Sequence, residues 1–197
     1  MRRLAKVLSI AAVVGLVPFV SRLEAQKSKS SGLYLGLGFE GNGISTRAGG
    51  TTTNESGSGG DLTVGYGFSD RWSLYGQGSA ASINAQGGGT YTLAHLDVGA
   101  RLHFRTGPNT VVPFLQFGLA GRTVEQDLGG ATVTGSGGGV SAGAGFNAHF
   151  TPTVALSLAA TWTFGSFNQF EVDGQPIDGG TINATSARIN IGLVWFP

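Results

Sequence analysis

The side chains able to do chemistry in this 197-residue chain are few. Three histidines, His95, His103 and His149, are joined by scattered carboxylates, arginines and serines, and there is no cysteine. A thiolate nucleophile, a disulfide and a cysteine-ligated metal are therefore excluded. The three histidines show no close-spaced ligand pair, so no metal site and no cofactor are expected. His95 is the one histidine with serines nearby in the preceding segment, Ser79 and Ser82. A Ser/His pair with an acid would suit acyl chemistry, but a general base needs hydrogen-bond reach to its nucleophile, and no acid is specified by spacing. The other ionisable positions expected to face inward are Glu40, Asp97, Arg101, Arg122 and Arg188. They share a face with the histidines, so the elements carrying them decide what they can do.

Those elements are alternating segments. In "HLDVGARLHF", Leu96, Val98, Ala100, Leu102 and Phe104 oppose His95, Asp97, Gly99, Arg101 and His103. In "GLYLGLGFEG", Leu33, Leu35, Leu37 and Phe39 oppose Tyr34, Gly36, Gly38 and Glu40. The last stretch, "SARINIGLVWFP", sets Ile189, Ile191, Leu193 and Trp195 against Arg188, Asn190, Gly192 and Val194. Period two over such lengths marks β-strands with one apolar face. Eight such segments can be read. The third, "WSLYGQGSAASI", has the weakest phase, because Tyr75 and Ile83 oppose Trp72 and Leu74. No sustained helical period follows residue 25, so the expected class is all-β.

The connections alternate in length. "SDR" (69–71), "RTGPNT" (105–110) and "TPT" (151–153) are short. The gaps near 45–60, 84–90, 123–138 and 168–180 are mostly longer, rich in Gly, Thr, Asn or Asp, and read as free loops. "TGSGGG" at 134–139 reads as flexible linker. An up-and-down meander places tight turns at one end and long loops at the other, with both termini at the short-turn end. That is the layout of a transmembrane β-barrel. The segments can supply the roughly 9–11 residues a tilted spanning strand needs. Phe68, Trp72, Phe104, Phe150, Phe164, Trp195 and Phe196 sit near strand ends, where aromatic rings favour the membrane interface.

A soluble barrel with the apolar face inward would show the same period. Two features oppose it. The less apolar face is dominated by Gly, Ala, Ser and Thr, which suits a narrow filled interior. The strands are also poor in the charges that a water-facing surface carries.

The N-terminus places the chain in an exported context. "MRRLAK" is basic, Val7 to Val20 is apolar, and "SRLEA" precedes Gln26. This reads as a signal peptide over 1–25, with the barrel domain over 26–197. The apolar run is shorter than the roughly 20 residues of a spanning helix. Removing 1–25 takes four basic residues and one acid, leaving a formal charge of −2 over 172 residues. No basic run remains, so nucleic acid is not an expected partner.

The segments "GLYLGLGFEGN", "VGYGFSDRWSLYGQG", "LDVGARLHF", "VPFLQFGLAG", "GVSAGAGFNAHFTPTVALSLAATWTF" and "INIGLVWF" together resemble the OmpA/OmpX-like eight-stranded outer-membrane β-barrels. The resemblance covers nearly all of residues 31–197. It implies an eight-stranded antiparallel up-and-down barrel in the bacterial outer membrane, surrounded by outer-membrane lipid and lipopolysaccharide. It also implies contact with the barrel-insertion machinery through the C-terminal strand. That strand ends in Trp195 and Phe196, but Pro197 occupies the final position where the family typically has an aromatic. The soluble peptidoglycan-binding domain that OmpA-type proteins often add is not expected here.

Inside such a barrel, Glu40, Asp97, Arg101 and Arg188 are expected to form a buried polar network, with Glu40 and Arg188 on neighbouring strands as a pair. Three functions remain open: a structural or surface-interaction barrel whose exposed loops carry the contacts, a narrow gated pore for ions or small solutes, and a lipid A-modifying enzyme. The first is the expectation, without catalytic activity. His103 and His149 lie at the wrong end for an outer-leaflet substrate, and eight strands leave an interior that side chains can just fill. The loops carry Arg47, Glu55, Glu125, Asp127, Glu171, Asp173 and Asp178, and their ligand is not specified.

Overall fold

A computed structural model describes residues 31–104 and 111–197. The expected signal peptide and the connection at 105–110 lie outside the described residues. Nine strands run in chain order: β1 (Gly32–Ala48), β2 (Thr51–Gly67), β3 (Trp72–Asn84), β4 (Thr90–His103), β5 (Val111–Asp127), β6 (Thr132–His149), β7 (Val154–Val172), the three-residue β8 (Gln175–Ile177) and β9 (Ile182–Trp195). Each barrel strand pairs antiparallel with its neighbours, and β9 pairs with both β7 and β1. The eight long strands therefore close on themselves, while β8 folds back on the tip of β7. Closure removes the edges that hydrocarbon would leave unpaired.

The short-turn end is fastened by side chains. Ser69 Oγ accepts the Trp72 amide at 3.0 Å, and Thr151 Oγ1 accepts the Val154 amide at 2.9 Å. Leu37, Phe39, Leu62, Leu96, Leu119, Ile189 and Leu193 face outward, while Glu40, Asp61, Asp97, Arg101, Gln116, Arg188 and Asn190 are buried within. The orientation is that of a membrane barrel, apolar out and polar in.

The opposite end departs from expectation. Of the gaps read as free loops, that at 84–90 is a loop between β3 and β4, while those at 45–60, 123–138 and 168–180 are mostly strand. β1 and β2 pair in register to Ala48 and Thr51, joined only by Gly49 and Gly50, with φ of 55° and 84°. Two residues with positive φ make the tight hairpin turn whose twist matches its strands. "TGSGGG" lies within β6 and is laddered on both sides. A Cβ on Gly137 or Gly139 would collide with the Ser166 or Phe164 carbonyl of β7, so these glycines permit close strand approach.

The third strand's phase is also explained. Ser73, Tyr75, Gln77, Ser79, Ala81 and Ile83 are all buried, and Trp72 and Leu74 face out. Tyr75 and Ile83 are apolar residues of the interior. They look like phase errors only when every apolar residue is assumed to face lipid.

The β1–β9 seam pairs Gly38 with Gly192. A Cβ on Gly38 would lie 2.7 Å from Asp61 Oδ1 and 2.9 Å from the Ile191 carbonyl, and one on Gly192 would strike the Leu37 carbonyl. At this rung the first and last barrel strands thus meet without side chains between them.

Candidate functional site

The candidate site is the lumen, which is filled in three layers. At the short-turn end the layer is aromatic. The Phe196 ring packs 5.6 Å from Tyr34 and 5.3 Å from His149, and His103 lies 5.9 Å from Phe114. His103 Nε2 is hydrogen-bonded to Ser73 Oγ at 2.9 Å. Above them Arg101 lies across the barrel, its Cζ 4.6 Å from the Tyr75 ring and 4.8 Å from Phe114. Its Nε donates to Gln116 Oε1 at 2.9 Å, and Gln116 Nε2 donates to Thr161 Oγ1 at 2.7 Å. Among the described residues, aromatic faces rather than a carboxylate surround this guanidinium.

The middle layer is ionic. Arg188 Nη2 meets Asp97 Oδ2 at 2.8 Å, with both side chains almost fully buried. Glu40 accepts from Asn42 Nδ2 and from Asn190 Nδ2, each at 3.2 Å. The same Asn190 nitrogen donates to Asp61 Oδ1 at 3.1 Å, and Gln77 Nε2 donates to Asp61 Oδ2 at 2.9 Å. Glu40, Asp97, Arg101 and Arg188 all project into the lumen, but the Glu40–Arg188 pair does not form. Glu40 stands opposite Asn190, and Arg188 opposite Asn42, a stagger of two residues. Arg188 instead spans from β9 to Asp97 on β4, and amides take Glu40.

A cavity of about 30 Å³ lies beside Asp61, Thr63, Gln77, Arg101 and Asn190. That is room for water, not for a solute. Higher up, His95 Nε2 is bonded to Ser186 Oγ at 2.9 Å, and Arg122 Nη1 donates to the Ala184 carbonyl at 3.1 Å. His95 stands opposite Ser79, yet its partner is Ser186, and Ser82 faces outward. Ser186 is fully buried, and Asp97, the nearest acid along β4, is occupied by Arg188. The constellation ties β4, β5 and β9 together across the lumen.

The third layer, at the long end, is apolar. Ile44, Ala81, Ile83, Leu93, Phe167 and Ala184 form a buried cluster inside the barrel, with Tyr91, Val124 and Phe170 against it. Beside it Tyr91 donates to Glu55 Oε2 at 2.7 Å. Burial, with the neighbouring Glu55 carboxylate, holds this phenol above the ordinary tyrosine range.

Among the expected interface aromatics, Phe68, Phe104, Phe150, Phe164 and Trp195 face outward, and Trp72 packs edge-on to Phe117 on that face. Phe196 does not. Its amide donates to the Thr153 carbonyl at 2.7 Å, which continues the ladder, so strand alternation turns its ring inward. The parity of Trp195 was the signal. Asp61 and Asn190, central to the network, were likewise available from parity with Thr63 and Arg188.

A closed eight-stranded barrel with a lipid-facing belt and a packed polar lumen defines the class of integral outer-membrane barrel proteins. The chain belongs to the outer membrane protein beta-barrel domain family, which matches residues 9–195. Its fold is similar to that of Neisserial surface protein A, with 17% identity and a TM-score of 0.64 over 84% of this chain and 97% of that one. It is also similar to OprG from Pseudomonas aeruginosa, with 12% identity and a TM-score of 0.56 over 84% and 96% of the two chains. The attachment invasion locus protein Ail of Yersinia pestis shares 13% identity, with a TM-score of 0.51 over 84% and 99%. No curated relative matches the chain.

Proposed function

We propose that this protein is a non-conducting, non-catalytic barrel of the bacterial outer membrane, with a structural or surface-contact role carried by its outer end. The observation that supports this best is the filling of the lumen at three successive levels. A pore would need all three to open together, and the apolar layer would oppose ion passage even if the ionic layer moved. The contact region is proposed to be the rigid strand extensions and their tight turns rather than long loops. Insertion through the C-terminal strand is proposed to use Trp195 as the outward aromatic, because Phe196 is turned inward.

Planar-bilayer recording of the refolded chain tests the reading. The expected result is no unitary conductance under conditions where heat-modifiable mobility shows folded barrel. Reproducible channels would replace this reading with the pore. Lipid A mass spectrometry from cells with and without the protein should show no change, and a modified species would establish catalysis.

A further inference from the structure

The barrel exchanges its inside and outside chemistry at one level. Below that level the outward residues are apolar, and the lumen holds the ionic layer and, beneath it, the aromatic one. Above it the inward residues are the Ile44, Ile83, Leu93 and Phe167 cluster. The outward residues there are hydroxyls. Ser58 stands opposite Ser82, and Ser82 opposite Thr92. Thr123 stands opposite Ser136, and Ser45 opposite Thr185. Ser166 completes the circuit on β7, so every barrel strand supplies one outward hydroxyl.

Directly beneath, two residues nearer the apolar belt, the outward position is Gly or Ala on seven of the eight barrel strands, among them Gly43, Gly60, Ala80 and Gly121. The eighth has Phe164. At Gly43 and Gly121 packing does not demand this bareness, since a Cβ there would meet nothing closer than 3.9 Å, whereas at Gly60 and Gly138 it would lie 3.3 and 3.4 Å from the Gly38 and Ala120 carbonyls. The wall is therefore recessed under a ring of hydrogen-bonding groups, continuous with the lipid-facing belt. Its charge does not suit phosphate. No lysine occurs among the described residues, and the long end carries Arg47 against Glu55, Glu125, Asp127, Glu171, Asp173 and Asp178. Phosphate recognition calls for arginine or lysine.

We propose that this hydroxyl girdle and the ledge beneath it form a binding surface for the neutral sugar headgroups of outer-leaflet glycolipids. A sugar ring can approach the bare wall and exchange hydrogen bonds with the serines and threonines above it. The outward hydroxyls, in place of apolar side chains, set this section above the lipid-facing belt. The inference rests on placement in the outer membrane and not on the closed lumen. A conducting barrel would leave it intact, so the two readings fail separately.

The chain has no cysteine, so single-cysteine variants report cleanly. Ser58→Cys, Thr123→Cys and Thr185→Cys would be compared with Leu96→Cys in the belt and Thr52→Cys near the tip, using a membrane-impermeant maleimide. In phospholipid vesicles the girdle variants should react like Thr52→Cys. With lipopolysaccharide in the bilayer they should slow several-fold while Thr52→Cys does not, and lipopolysaccharide stripped of phosphate should slow them equally. Girdle rates as low as that of Leu96→Cys in plain phospholipid would put the girdle in hydrocarbon and overturn the proposal. So would rates indifferent to lipopolysaccharide, or slowing that requires its phosphates. Where one cysteine prevents folding, its paired position reports the same rung: Ser82 for Ser58, Ser136 for Thr123, Ser45 for Thr185.

Discussion

Arg188 on β9 and Asp97 on β4 meet across the lumen at 2.8 Å, tying together strands that are not neighbours in the barrel. Removing one partner strands the other charge in a buried site. Asp97→Asn should destabilise the barrel by about 3–5 kcal/mol in urea titrations in lipid vesicles. The double variant Asp97→Asn, Arg188→Met should recover a large part of that loss. A single variant that unfolds like the parent would show that the pair contributes nothing.

The Gly38–Gly192 seam admits no side chain. Gly192→Val would drive a branched group into the Leu37 carbonyl, where the barrel must close. The expected outcome is loss of the heat-modifiable band on refolding, whereas Gly78→Val, with open space around its Cβ, should fold. Normal folding of Gly192→Val would mean that the seam relaxes more readily than its contacts allow.

Phe196 caps the short-turn end. Phe196→Ala should cost about 3–5 kcal/mol, the range for losing a buried aromatic ring. It should not create conductance, because the ionic and apolar layers still close the lumen. Channels in this variant alone would show that the upper layers do not seal.

Tyr91 gives a pH signature at the long end. Its phenol is held above the ordinary tyrosine range, so the folded state favours the protonated form. The corresponding stability is complete below the unfolded-state value and is lost as pH rises through the folded-state one. Between neutral and strongly alkaline pH, Tyr91→Phe should lose less stability than the parent. Equal losses would show that the Tyr91–Glu55 contact is not coupled to folding.

The membrane-spanning part was legible from residues such as Leu33, Leu35, Leu37 and Phe39, where alternation sets apolar against polar. The outer extensions were not, because the phase inverts there. On β4, Leu96 and Val98 face lipid, while Leu93, of opposite parity, faces the interior. Read as one pattern, such a strand seems to lose its period where it leaves the hydrocarbon. Glycine and serine runs then pass for loops, although the ladder continues. The polar interior was legible as a set but not as pairs. Parity puts Arg188 inside, whereas its choice of Asp97 over Glu40 depends on inter-strand stagger and side-chain reach.

The β1–β2 hairpin is paired without interruption from Gly32–Gly67 to Ala48–Thr51. A pull on its Gly49–Gly50 tip would run along both strands together and load the flanking β1–β9 and β2–β3 ladders in shear. Hydrogen bonds arranged this way share a load in parallel instead of peeling one at a time. Tension applied at that tip would therefore be shared with the neighbouring strands of the barrel wall.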